Sequence, residues 1–283
     1  MRLVLAAMTL SISHGQVFLN HFYATVDSAT YAAIEANDFL RNTFAVFEKR
    51  TTIRRDRTYT GLYLYGDHTY FEFFEAGKEQ SPTPVGIAFG VEQSGTLRKQ
   101  AEGWQSSGIE PSLQTITRQL DGADIPWFVS LAPAPETPGV VRLWMMEYVP
   151  EFLERWHSEV PTAKGIARSD VLTRYRAFLR KDSKWMADVA QISVQVPFQE
   201  EQRLKKLAES MGCRIEGREA VTGDARIRWM PPNDSHTGVR QIVLRLRHNP
   251  AAMQRLQLGT STLELSPEGL AVWSLAGLEG GAR

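Results

Sequence analysis

The stretch that decides the fold is residues 17–77, VFLNHFYATVDSATYAAIEANDFLRNTFAVFEKRTTIRRDRTYTGLYLYGDHTYFEFFEAG. Its opening, VFLNHFYATV, is rich in β-branched and aromatic residues and lacks Gly and Pro, which predicts a half-buried strand. Asp27 and Ser28 then offer helix-capping side chains before TYAAIEANDFL, whose apolar residues recur near helical spacing. Three strand-like runs follow, at 45–53, 59–65 and 69–74. Since Gly66-Asp67 indicates a tight hairpin, the stretch is predicted to be a βαβββ unit.

The unit carries His21 on its first strand, in LNHFYATV, and Glu72 on its last, in TYFEFFE. In this it resembles one module of the vicinal oxygen chelate superfamily, which includes glyoxalase I, bleomycin- and fosfomycin-resistance proteins and extradiol dioxygenases. More narrowly, the NHFY opening and the YFEFFE strand resemble an uncharacterised glyoxalase-like bacterial family. The resemblance implies an α+β fold of repeated βαβββ modules that form a cupped mixed sheet. It also implies a His ligand on the first strand of a module and a Glu ligand on the fourth.

The same order of elements repeats in residues 84–149, so we expect a two-module domain over 17–150. Aligning VGIAFGV with NHFYATV places Gly86 opposite His21, and the ligand implied for this strand is therefore missing. The best remaining ligand is Glu147, three residues beyond Trp144, which takes the position of Glu72. Because strand side chains alternate between faces, Glu147 points into the cup only if a bulge or a shifted register reorients it.

The resemblance then implies a divalent metal, Mn, Fe(II), Ni or Zn, held by His21, Glu72 and Glu147 in an open site. Glu72 and Glu147 are the candidate catalytic residues of a lyase, isomerase or dioxygenase reaction on a small oxygenated molecule. Glu75 is a candidate partner of these ligands or a general base, although alternation puts it on the opposite face. The expected pocket residues are Tyr23, Tyr70, Phe74 and Trp144. There is no Gly-rich phosphate loop, and no organic cofactor is expected.

Two other functions stay open. The missing ligand at Gly86 favours a metal-free protein that binds a small apolar or aromatic molecule in the same cup. A purely structural or dimerising protein is the third interpretation, with a homodimer as its partner state. The basic run at Arg54, Arg55 and Arg57 is interpreted as a solvated hairpin connection in preference to a clamp for an anionic substrate.

The rest of the chain is predicted to hold a helical connection at 151–185 and a third βαβββ-like module at 186–283. The strand VRQIVLRLR is taken as the last of that module, and it carries no carboxylate. The module could pair with a partner chain, with the C-terminal strand segment or with a degenerate fourth unit. A structural or dimerising role is the interpretation that its composition favours.

Bulk composition excludes several classes of protein. The 32 basic and 32 acidic residues balance, so neither nucleic acid nor a membrane surface is an expected partner. The single cysteine, Cys213, excludes an internal disulfide and is interpreted as a small buried residue. Residues 1–16 combine a basic start with an apolar stretch and suggest a signal peptide for export; a buried strand or a mis-assigned start, in a cytoplasmic protein, is the alternative.

Overall fold

Two mixed β-sheets, one of eight strands and one of nine, form the body of the protein. The computed structural model describes residues 16–54, 57–78, 83–136, 138–159, 166–179, 184–232 and 236–279. The predicted fold class is confirmed: the chain is α+β and is built from repeated βαβββ modules in curled sheets.

The first sheet consists of two modules. The first module is β1 Phe18–Val26, α1 Ser28–Ala36, β2 Val46–Ile53, β3 Thr58–Tyr65 and β4 Tyr70–Glu75. The second is β5 Val85–Gly90, α2 Thr96–Ser106, β6 Pro111–Leu120, β7 Ala123–Pro133 and β8 Val141–Tyr148. The strand order is β2-β3-β4-β1-β5-β8-β7-β6. Within each module the first strand pairs in parallel with the last, and the modules meet where β1 runs antiparallel to β5.

Local signals in the first module act as the sequence indicates. Asp27 caps α1, and its side chain accepts a hydrogen bond from the backbone N–H of Thr30 at 2.9 Å. The β3–β4 hairpin closes through the N–H of Gly66, which donates to the carbonyl of Thr69 at 2.8 Å. A short π-helical turn, Leu40–Phe44, which the sequence pattern does not show, leads into β2.

Two helices, α3 Pro150–Arg155 and α4 Arg168–Phe178, follow the first sheet. They lie in the segment predicted as a helical connection. They also pack onto the face of the first sheet that is turned away from the second sheet. Phe152, Trp156 and Tyr175 join the aromatic cluster there, and the Tyr175 ring stacks on Tyr65 with centroids 4.5 Å apart. We call this face of the first sheet the cup, and α3 and α4 fill one part of it.

The second sheet repeats the strand order of the first. Its first half is β9 Met186–Gln195, α5 Phe198–Ser210, β10 Arg214–Glu216, β11 Glu219–Val221 and β12 Arg226–Met230. Its second half is β13 His236–Leu246, β14 Gln254–Leu258, β15 Ser261–Leu265 and β16 Leu270–Ser274, with the short β17 Leu278–Glu279 paired to β13. The order is β10-β11-β12-β9-β13-β16-β15-β14.

This topology differs from the single third module predicted over 186–283. The strand that closes the third module is β12, because β12 pairs in parallel with β9. The strand VRQIVLRLR belongs to β13, which runs antiparallel to β9 and opens a fourth module, as β5 does after β1. The fourth module has no helix between its first two strands, and this corresponds to the degenerate unit that the sequence left open.

One continuous apolar core joins the two sheets through the faces that carry α1, α2 and α5. The ring of Phe73 on β4 lies 5.1 Å from that of Trp273 on β16, and the Trp104 side chain of α2 donates to the carbonyl of Ser210 at the end of α5. Strand alternation then turns Tyr70, Glu72 and Phe74 toward the opposite face, the cup.

No helix in the described part of the chain is long and apolar enough to cross a membrane. Apart from Gln16, the predicted signal segment over 1–16 lies outside the described residues.

Candidate functional site

A cavity of about 190 Å³ opens in the cup of the first sheet. Seven of its lining side chains are aromatic, and they include all four predicted pocket residues, Tyr23, Tyr70, Phe74 and Trp144. The basic and acidic lining residues are His21, Glu72, Arg54, Arg57 and Arg142. Strands of both modules contribute, so the cavity lies where the two modules meet.

His21 faces the cavity because β1 is irregular beside it. The pairing of β1 with β5 shifts register between Leu19 and His21, so that Leu19 and Phe22 both reach the core while His21 turns to the cup. There the imidazole stacks on the directly opposite Tyr70, with centroids 4.5 Å apart, and meets Trp144 edge-on at 5.4 Å. Aromatic neighbours on two sides therefore fix the plane of the ring.

The two ring nitrogens of His21 have different partners. Nδ1 lies 2.8 Å from Oδ1 of Asn20, and because an amide oxygen only accepts, Nδ1 carries the proton. Nε2 is then the lone-pair nitrogen, 3.9 Å from Oε1 of Glu72. Burial, together with the charge of Arg50, lowers the pKa of His21 to about 3, so that the imidazole is neutral at physiological pH.

Glu72 is a buried carboxyl group in the same site, at the centre of β4. Burial raises its pKa to about 7, although Arg50, a hydrogen bond from Tyr63 and Arg57 each act in the opposite direction. Near neutral pH the group is therefore divided between the carboxylic acid and the carboxylate. The pair thus consists of a neutral imidazole and a carboxyl that exchanges its proton in the physiological range.

Arg50, on β2, is a buried cation behind this pair that sequence reasoning missed. Its guanidinium lies 3.9 Å from the centroid of the Tyr63 ring, and Nη1 donates to the hydroxyl of Tyr65 at 2.8 Å. Glu48, two residues earlier on the same strand face, accepts from Arg50 at 3.4 Å. The period-two spacing of Glu48 and Arg50 is the sequence signal that could have found it.

The structure separates Glu147 from His21 and Glu72. Strand β8 pairs with β5 and β7 without a register shift, and Trp144 and Met146 therefore face the cup while Glu147 faces the helices. There its carboxylate accepts hydrogen bonds from the backbone N–H groups of Gly95 at 2.7 Å and Leu97 at 3.0 Å. Glu147 is a cap for the N-terminus of α2, and its predicted roles as metal ligand and catalytic residue do not fit this position.

Glu75 is also outside the cup, as alternation requires. Its carboxylate lies 3.3 Å from Nζ of Lys78 and is hydrogen-bonded to Ser28, which holds its pKa below the ordinary value. It is not a partner of His21 or Glu72.

The position of Gly86 is closed to a longer side chain. A Cβ atom at Gly86 would lie 2.1 Å from Cε1 of Tyr23, and the Tyr23 hydroxyl is anchored at 2.9 Å from Oγ1 of Thr83. The strand residue directly opposite His21 on β5 is Ala88, which offers no donor atom. The ring of Tyr23 thus occupies the space that a metal-binding side chain at position 86 would need.

These facts bear on the metal that the resemblance implies. Catalytic zinc sites use three protein ligands and an open position, whereas His21 and Glu72 supply two. Within the described ranges, no group of three or more His, Cys, Asp or Glu side chains is arranged to hold a metal ion. The residues present therefore do not fit a three-ligand metal centre.

Two of the three arginines of the predicted hairpin connection line the cavity. These are Arg54 and Arg57, and Arg142 on β8 joins them from the second module. Arg54 and Arg57 are half-buried in the connection between β2 and β3, and because they line the cavity the alternative of a clamp for an anionic substrate stays open. Arg55 lies outside the described residues.

The first sheet thus consists of two paired βαβββ modules around an open cup. The chain belongs to a family of unknown function (DUF5829), whose model matches residues 19–275. The narrower resemblance to a glyoxalase-like bacterial family stays a prediction. None of the curated proteins compared matches the chain.

Three solved structures are distantly similar. Homoprotocatechuate 2,3-dioxygenase from Arthrobacter globiformis is 11% identical over 90% of this chain and 78% of its own, with a TM-score of 0.42. BphC, a halotolerant catechol dioxygenase, is 12% identical over 94% of this chain and 89% of its own, with a TM-score of 0.43. An extradiol ring-cleaving dioxygenase from B. fuscum is 10% identical over 95% and 74%, with a TM-score of 0.36. Similarity at this distance assigns no activity to this chain.

Proposed function

We propose that the cup of the first sheet binds a small molecule of about one ring, without a metal ion. The observation that carries this proposal is the aromatic cavity with a single His–Glu pair. Drug-sized ligands occupy pockets of about 300–1,000 Å³, so a cavity of about 190 Å³ suits a smaller occupant. Aromatic side chains beside convergent polar groups are found in ligand sites, and this lining combines the two.

The aromatic lining favours a flat occupant. Rings in proteins pack in offset-stacked or edge-to-face pairs, and here Trp144 already lies edge-on to His21 and at 6.2 Å from Tyr23. A planar ligand would extend this arrangement with the same contacts. An oxygen-bearing group on it would meet the acceptor Nε2 of His21 and the carboxyl of Glu72, which donates when protonated and accepts when ionised.

Proton transfer by Glu72 is a second candidate function, which one observation favours. Its pKa of about 7 suits a general acid or base at neutral pH, and the neutral His21 lies within 3.9 Å to hold the reacting oxygen. This would be a lyase- or isomerase-type reaction on a small oxygenated molecule. Metal-dependent versions, including a dioxygenase reaction, would need a third protein ligand, which the described residues of the cup do not supply.

Binding is tested with two single-ring probes of nearly equal shape, 4-hydroxybenzoate and its neutral amide, by calorimetric titration and ligand-observed NMR. Ser130 lines the cavity, and Ser130→Phe should fill it and weaken binding at least about tenfold, equal to about 1.4 kcal/mol. The matched control is Ser274→Phe, at an exposed strand position of the second sheet, which should leave binding unchanged. If neither probe binds the wild type, or if Ser130→Phe has no effect, the proposal fails.

A further inference from the structure

We propose that the occupant of the cup is a carboxylate anion that hydrogen-bonds with Arg57 and Arg142; this rests on the function proposed above and names the class of ligand. The balance of charged side chains in the cavity favours an anion. Its lining contains three arginines and one carboxylate, Glu72. The lining thus holds more basic than acidic side chains, and an anionic ligand complements it better than a neutral one.

Each of the two arginines has an N–H donor that can bind a ligand. The Nε atoms of Arg57 and Arg142 are buried and have no hydrogen-bond partner in the part of the chain that the structure describes. Buried polar groups in proteins are nearly always hydrogen-bonded, and an unpaired donor costs about 1–3 kcal/mol. Two such donors on the lining of one cavity point to a ligand that accepts from them.

Neighbouring side chains orient the two guanidinium groups. Arg142 is held from outside by an ion pair with the exposed Glu136, and its guanidinium carbon lies 5.4 Å from the ring centroid of Trp144. Arg57 lies 5.2 Å from the ring of Tyr59 in the same way. The aromatic rings thus restrict the motion of both guanidinium groups. This restriction reduces the side-chain entropy that the arginines lose when they bind a carboxylate.

The sheet register places Arg142 at a useful distance from the His–Glu pair. Glu72, Tyr23, Gly86 and Arg142 form one row across β4, β1, β5 and β8. Strands lie about 4.8 Å apart, so the backbones at the two ends of this row are separated by about 14 Å, and their side chains reach inward. A one-ring acid can then present its carboxylate to Arg142 and its second oxygen to His21 and Glu72. Tyr23 and the small Gly86 lie beneath its ring.

The amide and the acid separate this inference from the proposed function. Wild-type protein should bind 4-hydroxybenzoate at least about tenfold more tightly than 4-hydroxybenzamide, a difference of about 1.4 kcal/mol. Arg57→Gln and Arg142→Gln should each reduce that preference to threefold or less, because each weakens the binding of the charged acid more than that of the amide. The matched control is Arg255→Gln on the exposed face of β14, which should keep the wild-type preference.

Two further arms complete the experiment. Acetate and inorganic phosphate, added as competitors, should displace the acid only at much higher concentration, because they lack the ring; displacement at equal concentration would reduce the site to a general anion site and overturn the inference. Equal affinity of wild-type protein for acid and amide would overturn the inference while the proposed function stands. Failure of both probes to bind would overturn both, and because the wild-type comparison needs no variant, the result does not depend on whether a variant folds.

Discussion

His21 and Glu72 are two ionisable side chains whose pKa values move in opposite directions for the same reason. Burial favours the neutral form of each group, so that the pKa of His21 falls to about 3 and that of Glu72 rises to about 7. A buried pair that is neutral over a wide range of pH is suited to hydrogen bonding with an oxygen-bearing ligand. The shifted pKa values of the pair also make the stability of the protein depend on pH.

Stability should depend on pH through both groups. Unfolded His21 takes up a proton near pH 6.5 and folded His21 near pH 3, so its contribution is lost as pH falls from about 6.5 to 3. Folded Glu72 keeps its proton to about pH 7 and the unfolded group to about 4.5, so stability falls as pH rises from about 4.5 to 7. At one pKa unit per 1.36 kcal/mol, the loss from Glu72 is at most about 3 kcal/mol.

The variant Glu72→Gln removes the part of the pH dependence of stability that belongs to Glu72. Relative to wild type, it should gain stability between pH 5 and pH 8, because Gln has no proton to lose. The measurement is urea denaturation of both proteins at the two pH values. A wild-type minus variant difference that is the same at pH 5 and pH 8 would show that Glu72 ionises as an ordinary exposed carboxyl.

At this scale the resemblance predicts His21 and Glu72, and alternation along the strands predicts four of the seven aromatic lining residues. The prediction fails for Glu147, since the assumed bulge in β8 is absent. The sequence also does not show that Arg54 and Arg57 line the cavity, because the surroundings of a loop arginine depend on strands of the other module. Periodicity within one segment carries no information about that neighbour.

At the scale of elements, α2 depends on a carboxylate from a strand of its own module. Gly95 and Leu97 donate to Glu147 where the helix begins, and the side chain thus satisfies backbone groups that have no partner within the helix. Glu147→Gln retains one acceptor and loses the charge at the helix N-terminus. It should destabilise the protein by about 1–2 kcal/mol in denaturant titrations and leave the affinity for 4-hydroxybenzoate unchanged. A selective loss of ligand affinity with full stability would return Glu147 to the functional site.

Gly86 on β5 is required by the ring of Tyr23. Because an added Cβ would approach that ring to 2.1 Å, Gly86→Ala should cost about 1–3 kcal/mol of stability and weaken binding in the cup. Gly103, inside α2, meets no atom within 4 Å at the same point, and Gly103→Ala should stabilise the protein by about 0.5–1 kcal/mol. Thermal unfolding of the pair checks this, and equal effects in both variants would mean that Tyr23 moves aside freely.

At the scale of the whole molecule, the β3–β4 hairpin holds the two sheets together. The carboxylate of Asp188 on β9 accepts from the backbone N–H groups of His68 at 2.8 Å and Thr69 at 2.9 Å. Its second oxygen lies 3.0 Å from Nδ1 of His68, and this hydrogen bond raises the pKa of His68. Desolvation opposes, but the hydrogen bonds from His68 and Thr69 outweigh it and lower the pKa of Asp188.

The signs of these shifts predict how the contact responds to pH. The contribution of His68 is present below its unfolded pKa and is lost as pH rises through the raised folded value; that of Asp188 is lost only in acid. Asp188→Asn should destabilise the protein by about 1–3 kcal/mol and abolish the part of the pH dependence that belongs to His68. NMR titration of the His68 ring checks this directly. An unchanged His68 pKa in the variant would contradict the account.

Element order predicts the first sheet and the third module, because each has a helix between strands of alternating pattern. The fourth module is only one of three alternatives in the sequence for the opposite reason: without a helix after β13, its strands resemble an extension of the third module. The packing of Phe152 and Tyr175 into the cup is likewise invisible in sequence, because their helical spacing indicates a buried face but not what buries it. Only the assembled sheet leaves a cavity beside them.

The central claim, a metal-free site for a small aromatic acid, is tested most directly by one titration. Protein treated with a chelator, and shown by elemental analysis to be free of metal, is titrated with 4-hydroxybenzoate, alone and again after addition of Mn(II), Ni(II) or Zn(II). The account predicts binding by the metal-free protein, with an affinity that the metals do not change and that Ser130→Phe removes. Binding that appears only after a metal is added, with about one ion retained per chain and lost in His21→Ala, would contradict it and establish a metal centre in the cup.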